Sequence, residues 1–262
     1  MNKNLSAKKR FGQNFLTDPL LLDQLAKYIN PLSSQNFLEI GPGIGALTEY
    51  IVSEPRKYTA VELDRDLIST LEDKFFSKNN FQIINKSILD LDLSNYADRH
   101  NKIRLVGNLP YNLSSPILEW CFDQVELIDD MHFMFQKEFA ERCAGDENTN
   151  SYGKLSVMCK YLCDVSILCE VDRNYFDPVP KVDSSFVKFA PKERPNKKEE
   201  LNNLKFILPK LFNKKRKKIS KTLKEFFSED DLNTINLDLN LRPDQMNIDQ
   251  FLDLIKLKRK DG

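Results

Sequence analysis

The sequence is poor in the residues that build metal sites and disulfide frameworks. Its only histidines are His100 and His132, and its cysteines number five, with no Cys-x-x-Cys pair among them. Zinc sites need closely spaced Cys and His ligands, so no metal is expected here. An odd set of cysteines favours packing in the core of a protein kept in a reducing compartment.

Long apolar runs are also missing. The N-terminus has no apolar segment of the signal-peptide type, and no apolar run approaches the roughly 18 residues of a membrane-spanning helix. We therefore expect a cytoplasmic protein with no membrane partner.

The chain has no excess of either charge, with 39 Lys and Arg against 39 Asp and Glu. This balance counts against nucleic-acid binding, since such proteins are more often basic. Basic residues are nevertheless grouped, while acids such as Glu229-Asp230-Asp231 lie elsewhere. Each basic block is either part of an electrostatic footprint or a solvated helix face. The blocks are Lys8-Lys9-Arg10, Lys214-Lys215-Arg216-Lys217-Lys218, and Lys256 with Lys258, Arg259 and Lys260.

Strand and helix patterns alternate up to about residue 190, after a helix start at Thr17-Asp18-Pro19 in which Thr17 or Asp18 is the N-cap. This alternation predicts an α/β fold with a mostly parallel sheet covered on both faces. A Pro-rich stretch separates the last two strands, which predicts a terminal antiparallel pair. The predicted strands are 36–40, 58–62, 81–84, 103–107, 131–136, 165–171 and 185–189, and the predicted helices between them are 46–53, 65–76, 116–122, 137–143 and 154–163.

A charged, Pro-bounded break follows at residues 191–198. Beyond it the pattern is purely helical, with predicted helices at 201–212, 217–227, 230–235 and 248–257. The chain is therefore expected to form two domains, 1–192 and 199–262, the second small and all-helical.

A glycine-rich turn, Gly41-Pro42-Gly43-Ile44-Gly45, follows the first predicted strand of the sheet and precedes a helix. Such a turn lets a ligand approach the backbone at a helix N-terminus. Glu39 would repel a pyrophosphate but suits a cationic ligand, and the glycine spacing is not that of a dinucleotide site. Glu62, at the end of the next strand, could accept two hydrogen bonds from a ribose diol, or could simply be an acid at a helix N-terminus.

Asn108-Leu109-Pro110-Tyr111 follows the strand at 103–107, at the end of a strand where open α/β sheets bind ligands. The Asn108 carboxamide can accept a hydrogen bond from an exocyclic amine, and Tyr111 offers a ring on which a base can stack. The same four residues could also be an ordinary turn beside a core tyrosine.

Taken together, these features resemble S-adenosylmethionine-dependent methyltransferases of Rossmann-like fold. In order and spacing, a larger set of motifs resembles the small-subunit ribosomal RNA adenine N6-dimethyltransferase family over nearly the whole chain. The motifs are Phe11-Gly12-Gln13-Asn14-Phe15-Leu16, Glu39-Ile40-Gly41-Pro42-Gly43, Val61-Glu62-Leu63-Asp64, Gly107 to Asn112, Gln136-Lys137-Glu138, Phe176-x-Pro-x-Pro-Lys181-Val182-Asp183-Ser184 and Leu241-Arg242-Pro243.

The resemblance implies a class I methyltransferase domain over 1–192, a helical rRNA-binding domain over 199–262, and roles for individual residues. The cofactor S-adenosylmethionine would contact Asn14, Leu16, Gly41, Gly43, Glu62 and Asn108. The family usually has an Asp that binds the cofactor adenine where this chain has Ser87, with Asp90 as the alternative contact.

For the chemistry, the Asn108 side chain and the Leu109 carbonyl are expected to accept hydrogen bonds from the target amine, with Pro110 shaping the turn. Tyr111 would stack on the target adenine. Phe176 would cover its other face, or else be a core aromatic.

The resemblance further implies a substrate, namely two adjacent adenines in a hairpin loop near the 3′ end of small-subunit rRNA, within a partly assembled subunit. We expect a monomeric enzyme that dimethylates N6 of both. Two alternatives are a large-subunit rRNA adenine dimethyltransferase of the macrolide-resistance type and a non-catalytic RNA-binding assembly factor. An NAD-dependent oxidoreductase is disfavoured by Glu39 and the glycine spacing.

Overall fold

The computed structural model describes Lys8, residues 12–193 and residues 197–257. Lys9, Arg10, Lys258, Arg259 and Lys260 of the predicted basic blocks lie outside these residues, as do Phe11 and residues 194–196 of the predicted break. The strands are β1 (Phe15–Leu16), β2 (Asn36–Ile40), β3 (Lys57–Glu62), β4 (Phe81–Asn85), β5 (Ile103–Asn108), β6 (Ile128–Gln136), β7 (Cys163–Val171), β8 (Phe176–Asp177) and β9 (Ser184–Pro191). The helices are α1 (Pro19–Ile29), α2 (Ala46–Ile51), α3 (Arg65–Phe75), α4 (Ser114–Asp123), α5 (Lys137–Ala144), α6 (Lys154–Leu162), α7 (Lys197–Phe212), α8 (Ile219–Phe226), α9 (Glu229–Asn233) and α10 (Ile248–Ile255).

Seven strands form one mixed sheet in the order β4-β3-β2-β5-β6-β9-β7. The neighbours from β4 to β6 all pair in parallel, and β9 pairs antiparallel with β6. The central strands β2 and β5 are buried along nearly their whole length, which is why they are mostly apolar without alternation, with Glu39 and Arg104 as the charged exceptions. The predicted α/β fold class is confirmed, and the last two strands of the sheet are neighbours as expected.

A buried ion pair joins the middle of the sheet to α1. The Arg104 guanidinium on β5 donates to both carboxylate oxygens of Asp130 on β6, at 2.8 Å each. It also donates to the carbonyls of Ile29 and Asn30, the end of α1. Asp130 also explains why the sequence placed the start of this strand at Met131, since a charged residue interrupts the apolar pattern. In the structure β6 begins at Ile128, because the Asp130 carboxylate is paired with Arg104 inside the sheet.

Helix α1 begins as its sequence predicts. Of the two expected N-caps, Asp18 makes the bond, its carboxylate accepting from the Leu21 amide at 2.7 Å, and Pro19 occupies the first turn. The segment before it pairs with a distant one, because β1 forms a small antiparallel sheet with β8 that joins Leu16 to Phe176.

The chain divides into two compact units, residues 1–140 with 165–191 and residues 141–164 with 192–262. The α/β pattern had placed 141–164 in the first domain, whereas in the structure this segment packs with the C-terminal helices. The Tyr161 hydroxyl of α6 donates to Glu200 of α7 at 2.8 Å, and the Tyr152 hydroxyl donates to the Met246 carbonyl at the same distance. A periodic pattern locates a helix but does not specify the partner of its apolar face.

All five cysteines are free thiols, and each except Cys169 is buried, as the sequence predicts. None of the helices in the described part of the chain is long and apolar enough to span a membrane. Within the same residues no group of three or more His, Cys, Asp or Glu side chains could hold a metal ion.

Candidate active site

A cavity of about 330 Å³ lies in the first unit, at the carboxyl ends of β2, β3 and β5. All of the predicted site residues except Phe176 line it. Its walls are formed by residues 12–16, 39–44, 46–47, 61–63, 86–89, 108–113 and 117.

Gly41 leaves space in this cavity. Its φ of +63° is a left-handed conformation that residues with a side chain rarely adopt, and apart from its two chain neighbours no described residue has an atom within 4 Å of the position a Cβ would take. Its amide donates to the Val61 carbonyl at 2.9 Å, which ties the turn to the end of β3. The backbone at Gly41 is therefore open to close approach by a ligand.

Glu62 is fixed at both carboxylate oxygens by main-chain amides. Oε2 accepts from the Gly43 amide at 3.1 Å, and Oε1 accepts from the Asp64 amide at 2.8 Å. Burial raises the pKa of this carboxyl, against the opposing effect of those amide bonds. Each oxygen keeps a second lone pair, so Glu62 can still accept hydrogen bonds from a ligand diol.

Glu39 is a second buried acid on the same wall. The hydroxyls of Thr48 and Tyr58 both donate to its Oε2, at 2.5 and 2.8 Å. Burial is the main cause that raises the pKa of Glu39 to about 7. Glu39 is 2% exposed and lines the cavity. A cationic ligand bound beside it would favour its ionised form and so lower its pKa.

The Asn108 side chain stands at the end of β5 with its donor end occupied. Its Nδ2 donates to the Asn14 carbonyl at 2.7 Å, which leaves Oδ1 as an acceptor on the cavity wall. The Pro110 carbonyl accepts from the Leu113 amide at 2.9 Å, whereas none of the described residues donates to the Leu109 carbonyl. Two acceptors thus remain at this turn, the amide oxygen of Asn108 and the carbonyl of Leu109.

Tyr111 is half-buried and anchored at its hydroxyl. Its Oη lies 2.8 Å from the Ser184 Oγ at the start of β9. The anchor holds one end of the ring, and the residue still lines the cavity.

A further wall comes from residues 12–16 of the N-terminal segment, and Lys8 helps to hold that segment in place. The Lys8 Nζ lies 2.6 Å from Asp64 Oδ1 and 2.5 Å from Asp66 Oδ2. The Gln13 side chain donates to Asp64 at 3.2 Å and accepts from the Lys8 amide at 2.8 Å. These contacts hold the segment against the end of β3, beside Glu62.

Asp64 was not among the predicted site residues, although the motif that contains it was recognised. Its sequence signal was that of an N-cap, which it also is, because its carboxylate accepts from the Asp66 amide at the start of α3. Leu63 and Leu89 were missed as well. Both line the cavity and are exposed, and an isolated leucine after a strand carries no signal of its own.

Ser87 and Asp90 were the alternative contacts after β4. Ser87 lines the cavity, and its hydroxyl accepts from the Leu89 amide at 3.3 Å; Asp90 does not line it. The structure therefore brings Ser87, and not Asp90, to the cavity.

Phe176 is the predicted site residue that the structure places elsewhere. Its ring is 2% exposed and belongs to the core cluster around α1 and β2. The pairing of β8 with β1 sets this burial, since it puts Phe176 opposite Leu16. The alternative interpretation as a core aromatic describes this position, and no base-stacking role follows from it.

Known proteins share this architecture. A family model described as "Ribosomal RNA adenine dimethylase" matches residues 4–260. A relative from Hahella chejuensis, named "Ribosomal RNA small subunit methyltransferase A", is 39% identical over 254 residues, which cover 96% of this chain and 93% of that protein.

Two solved structures are similar over more than nine-tenths of the chain. A dimethyladenosine transferase from Plasmodium falciparum has a TM-score of 0.76 and 27% identity, over 92% of this chain and 95% of its own. The 23S rRNA methyltransferase ErmE has a TM-score of 0.71 and 25% identity, over 93% and 98%.

Proposed function

This chain belongs to the ribosomal RNA adenine dimethylase family, and we propose that it dimethylates N6 of two adjacent adenines in a hairpin loop near the 3′ end of small-subunit rRNA. S-adenosylmethionine is the methyl donor in this proposal, and the substrate is a small subunit during its assembly. The observation that carries the proposal is the Asn108 amide, held at its donor end with its acceptor end on the cavity wall.

The cavity fits S-adenosylmethionine. The open space at Gly41 admits the methionine part of the molecule beside the main chain, and Glu39 supplies negative charge for its cationic groups. Glu62 has acceptor capacity left for the ribose hydroxyls. Leu63 and Leu89 supply apolar surface for the adenine ring, with Ser87 as its polar neighbour.

When bound, S-adenosylmethionine supplies a methyl group already activated by a positively charged sulfur. The chain's own residues then have to align the amine and stabilise the positive charge that develops on N6. Asn108 Oδ1 and the Leu109 carbonyl accept from the two N6 hydrogens in this role. The Tyr111 ring stacks on the target adenine, with its hydroxyl held by Ser184. The first transfer breaks the sulfur–methyl bond and leaves a neutral thioether, and the methylated N6 then releases one proton to solvent. A single N–H remains, and one of the two acceptors is sufficient for it.

The target adenine must leave its stack to reach this cavity, as enzymes that modify bases require. An unpaired loop lowers the cost of that step, which agrees with a hairpin-loop substrate.

The helical unit is proposed to bind rRNA through its phosphates. Between α7 and α8 the basic block 214–218 presents Arg216, Lys217 and Lys218 as exposed side chains. The Lys215 side chain is tied back to the Tyr152 carbonyl at 2.8 Å and so contributes to the shape of this turn. Local positive charge of this kind serves phosphate binding even in a chain of zero net charge.

The test is transfer of labelled methyl to small subunits from an unmethylated strain, with large subunits in parallel. We expect label in the small subunit only, as dimethyladenine. Asn108→Ala removes a charge-stabilising acceptor and should lower the rate about 100-fold to 1,000-fold. Asn101→Ala, in an exposed turn, is the matched control and should keep full activity.

Three outcomes would overturn the proposal. Label confined to the large subunit would favour the 23S-type activity of the ErmE relative. Binding of subunits with no transfer would favour an assembly factor. Full activity of Asn108→Ala would remove the assigned chemistry.

A further inference from the structure

The Pro-rich loop, residues 172–183, exposes apolar side chains next to the cavity. Tyr175 is 41% exposed, Val179 56% and Val182 43%. Isolated apolar residues on a surface are ordinary, but here three lie within eight residues of one loop.

Two hydrogen bonds, one from within the loop and one from the residue that follows it, connect the loop to the cavity walls or to a residue next to them. On one side the Tyr175 carbonyl accepts from the Thr17 amide at 3.0 Å, one residue after the cavity residue Leu16. On the other side Ser184, immediately after the loop, makes its bond to the Tyr111 hydroxyl. The main chain of the loop therefore runs beside the part of the cavity where the target base is proposed to bind, although its own side chains do not line the cavity.

Hydrogen bonds within the loop fix its shape. The Asp172 carboxylate accepts from the Asn174 amide at 2.7 Å, and the Arg173 guanidinium donates to the Lys181 carbonyl at 3.2 Å. The Asp183 carbonyl accepts from the Lys137 amide at 3.0 Å. A surface held in this way loses little conformational freedom when it binds a partner.

The charge of the loop distinguishes between two kinds of RNA contact. It contains three aspartates (Asp172, Asp177 and Asp183) against one arginine and one lysine. Acidic excess does not suit phosphate binding, whereas aromatic and apolar side chains suit the faces of unpaired bases.

We propose that this loop binds the unpaired bases that flank the target adenine, with Tyr175 as the stacking platform and Val179 and Val182 as its apolar border. This inference rests on the proposed function, because it names how the same RNA is recognised beside the same cavity. Specificity for a single-stranded context would then come from stacking and not from charge.

The experiment measures methyl transfer to unmethylated small subunits by wild type, Tyr175→Ala and Tyr175→Phe. Loss of a stacking ring should raise KM for subunits about tenfold in Tyr175→Ala, while kcat and KM for S-adenosylmethionine stay unchanged. Tyr175→Phe keeps the ring and should behave as wild type. Because stacking releases no counterions, the dependence of KM on salt should have the same slope in all three proteins.

Tyr28→Ala is the matched control, since Tyr28 is 38% exposed on α1 and should change neither KM. Val179 takes no part in the pairing of β1 with β8, so Val179→Ser leaves that pairing intact. This variant should also raise KM for subunits, by a smaller factor than Tyr175→Ala. An unchanged KM for subunits in Tyr175→Ala, or an equal rise in KM for S-adenosylmethionine, would overturn the inference. An inactive wild-type protein would instead overturn the proposed function.

Discussion

The two sides of the cavity differ in what holds their polar groups. On the side proposed for the cofactor, main-chain groups of neighbouring strands and turns hold the site: the Val61 carbonyl holds Gly41, and the Asp64 and Gly43 amides, two and nineteen residues away, hold Glu62. On the side proposed for the amine, Asn108 is held by the Asn14 carbonyl, 94 residues away, and Tyr111 by Ser184, 73 residues away.

This difference separates binding from chemistry. The part of the proposed cofactor side around Gly41 and Glu62 is formed wherever β2 and β3 pair, because its bonds lie within those strands and the turns that follow them. The amine side forms only when the N-terminal segment and β9 are also in place. Substitutions should therefore affect cofactor binding and methyl transfer separately, and four predictions probe the cofactor side of this comparison.

The largest expected effect concerns Glu39, whose buried carboxyl has a pKa of about 7 against an ordinary 4.5. A raised pKa means that the folded state favours the protonated carboxyl. The contribution of this group to the free energy of unfolding is therefore complete below its ordinary pKa of 4.5 and is lost as the pH rises through 7. Glu39→Gln has no such loss. The difference in free energy of unfolding, variant minus wild type, should therefore be about 2 kcal/mol larger at pH 8 than at pH 5. Urea unfolding at both pH values measures it, and an equal gap at both would contradict the assignment.

Next in size are two glycine substitutions that distinguish affinity from stability. Gly41→Ala places a methyl group in open cavity space, and we expect about tenfold weaker binding of S-adenosylmethionine, with a backbone cost of about 1–2 kcal/mol. Gly45→Ala would place its Cβ 2.7 Å from the Phe75 ring, so it should lose more stability and less affinity. Calorimetric titration beside chemical unfolding compares them. If both variants lost affinity and stability to the same extent, Gly41 and Gly45 would not have the separate roles assigned to them here.

A smaller effect is expected for Asp64→Asn. Asparagine keeps the N-cap of α3 but removes the charge that pairs with Lys8. KM for S-adenosylmethionine should rise a few-fold at low salt, and the difference should shrink toward 1 M salt but not vanish, since Lys8 is partly exposed whereas Asp64 is buried. The control is Asp66→Asn, which loses only the more exposed of the two contacts. A salt-independent rise would assign Asp64 a different role.

The smallest effect is a gain. Ser87→Asp introduces the carboxylate that the family usually has, and a charge-assisted bond to the cofactor adenine should tighten binding about two- to fivefold. Asp90→Ser, off the cavity wall, should leave affinity unchanged. Weaker binding by Ser87→Asp would show that the adenine lies elsewhere.

Much of the fold was predictable because periodic patterns report burial. The parallel strands β2 to β5 were located within one residue at each end, since each contains a short run rich in apolar residues that is bounded by polar or turn-forming residues. The pairing of β1 with β8 was not predictable, because two-residue strands carry no pattern. The buried Arg104–Asp130 pair was missed for a related reason: a charged residue reads as exposed unless its partner, 26 residues away, is known to lie beside it.

The site was predictable where a motif identifies both residue and place, as for Glu62 and Asn108. Phe176 shows the limit of a motif, which identifies a residue type but does not state whether the ring faces the ligand or the core. Asp64 shows the opposite case. It lies inside a recognised motif, but its contacts to Lys8 and Gln13 depend on a segment that folds back from 51 residues or more away.

The bond from Asn108 to residue 14 has a consequence for how this segment can evolve. The acceptor is the main-chain carbonyl of Asn14, and every amino acid has one. A change of side chain at position 14 therefore leaves the aim of the Asn108 amide intact. An insertion or deletion of one residue between positions 12 and 17 would move that carbonyl by about 3.3 Å along the chain. The Asn108 amide would then lose the acceptor that orients it. For the orientation of the Asn108 amide, the length of the chain in this segment therefore matters, and the side chain at position 14 does not.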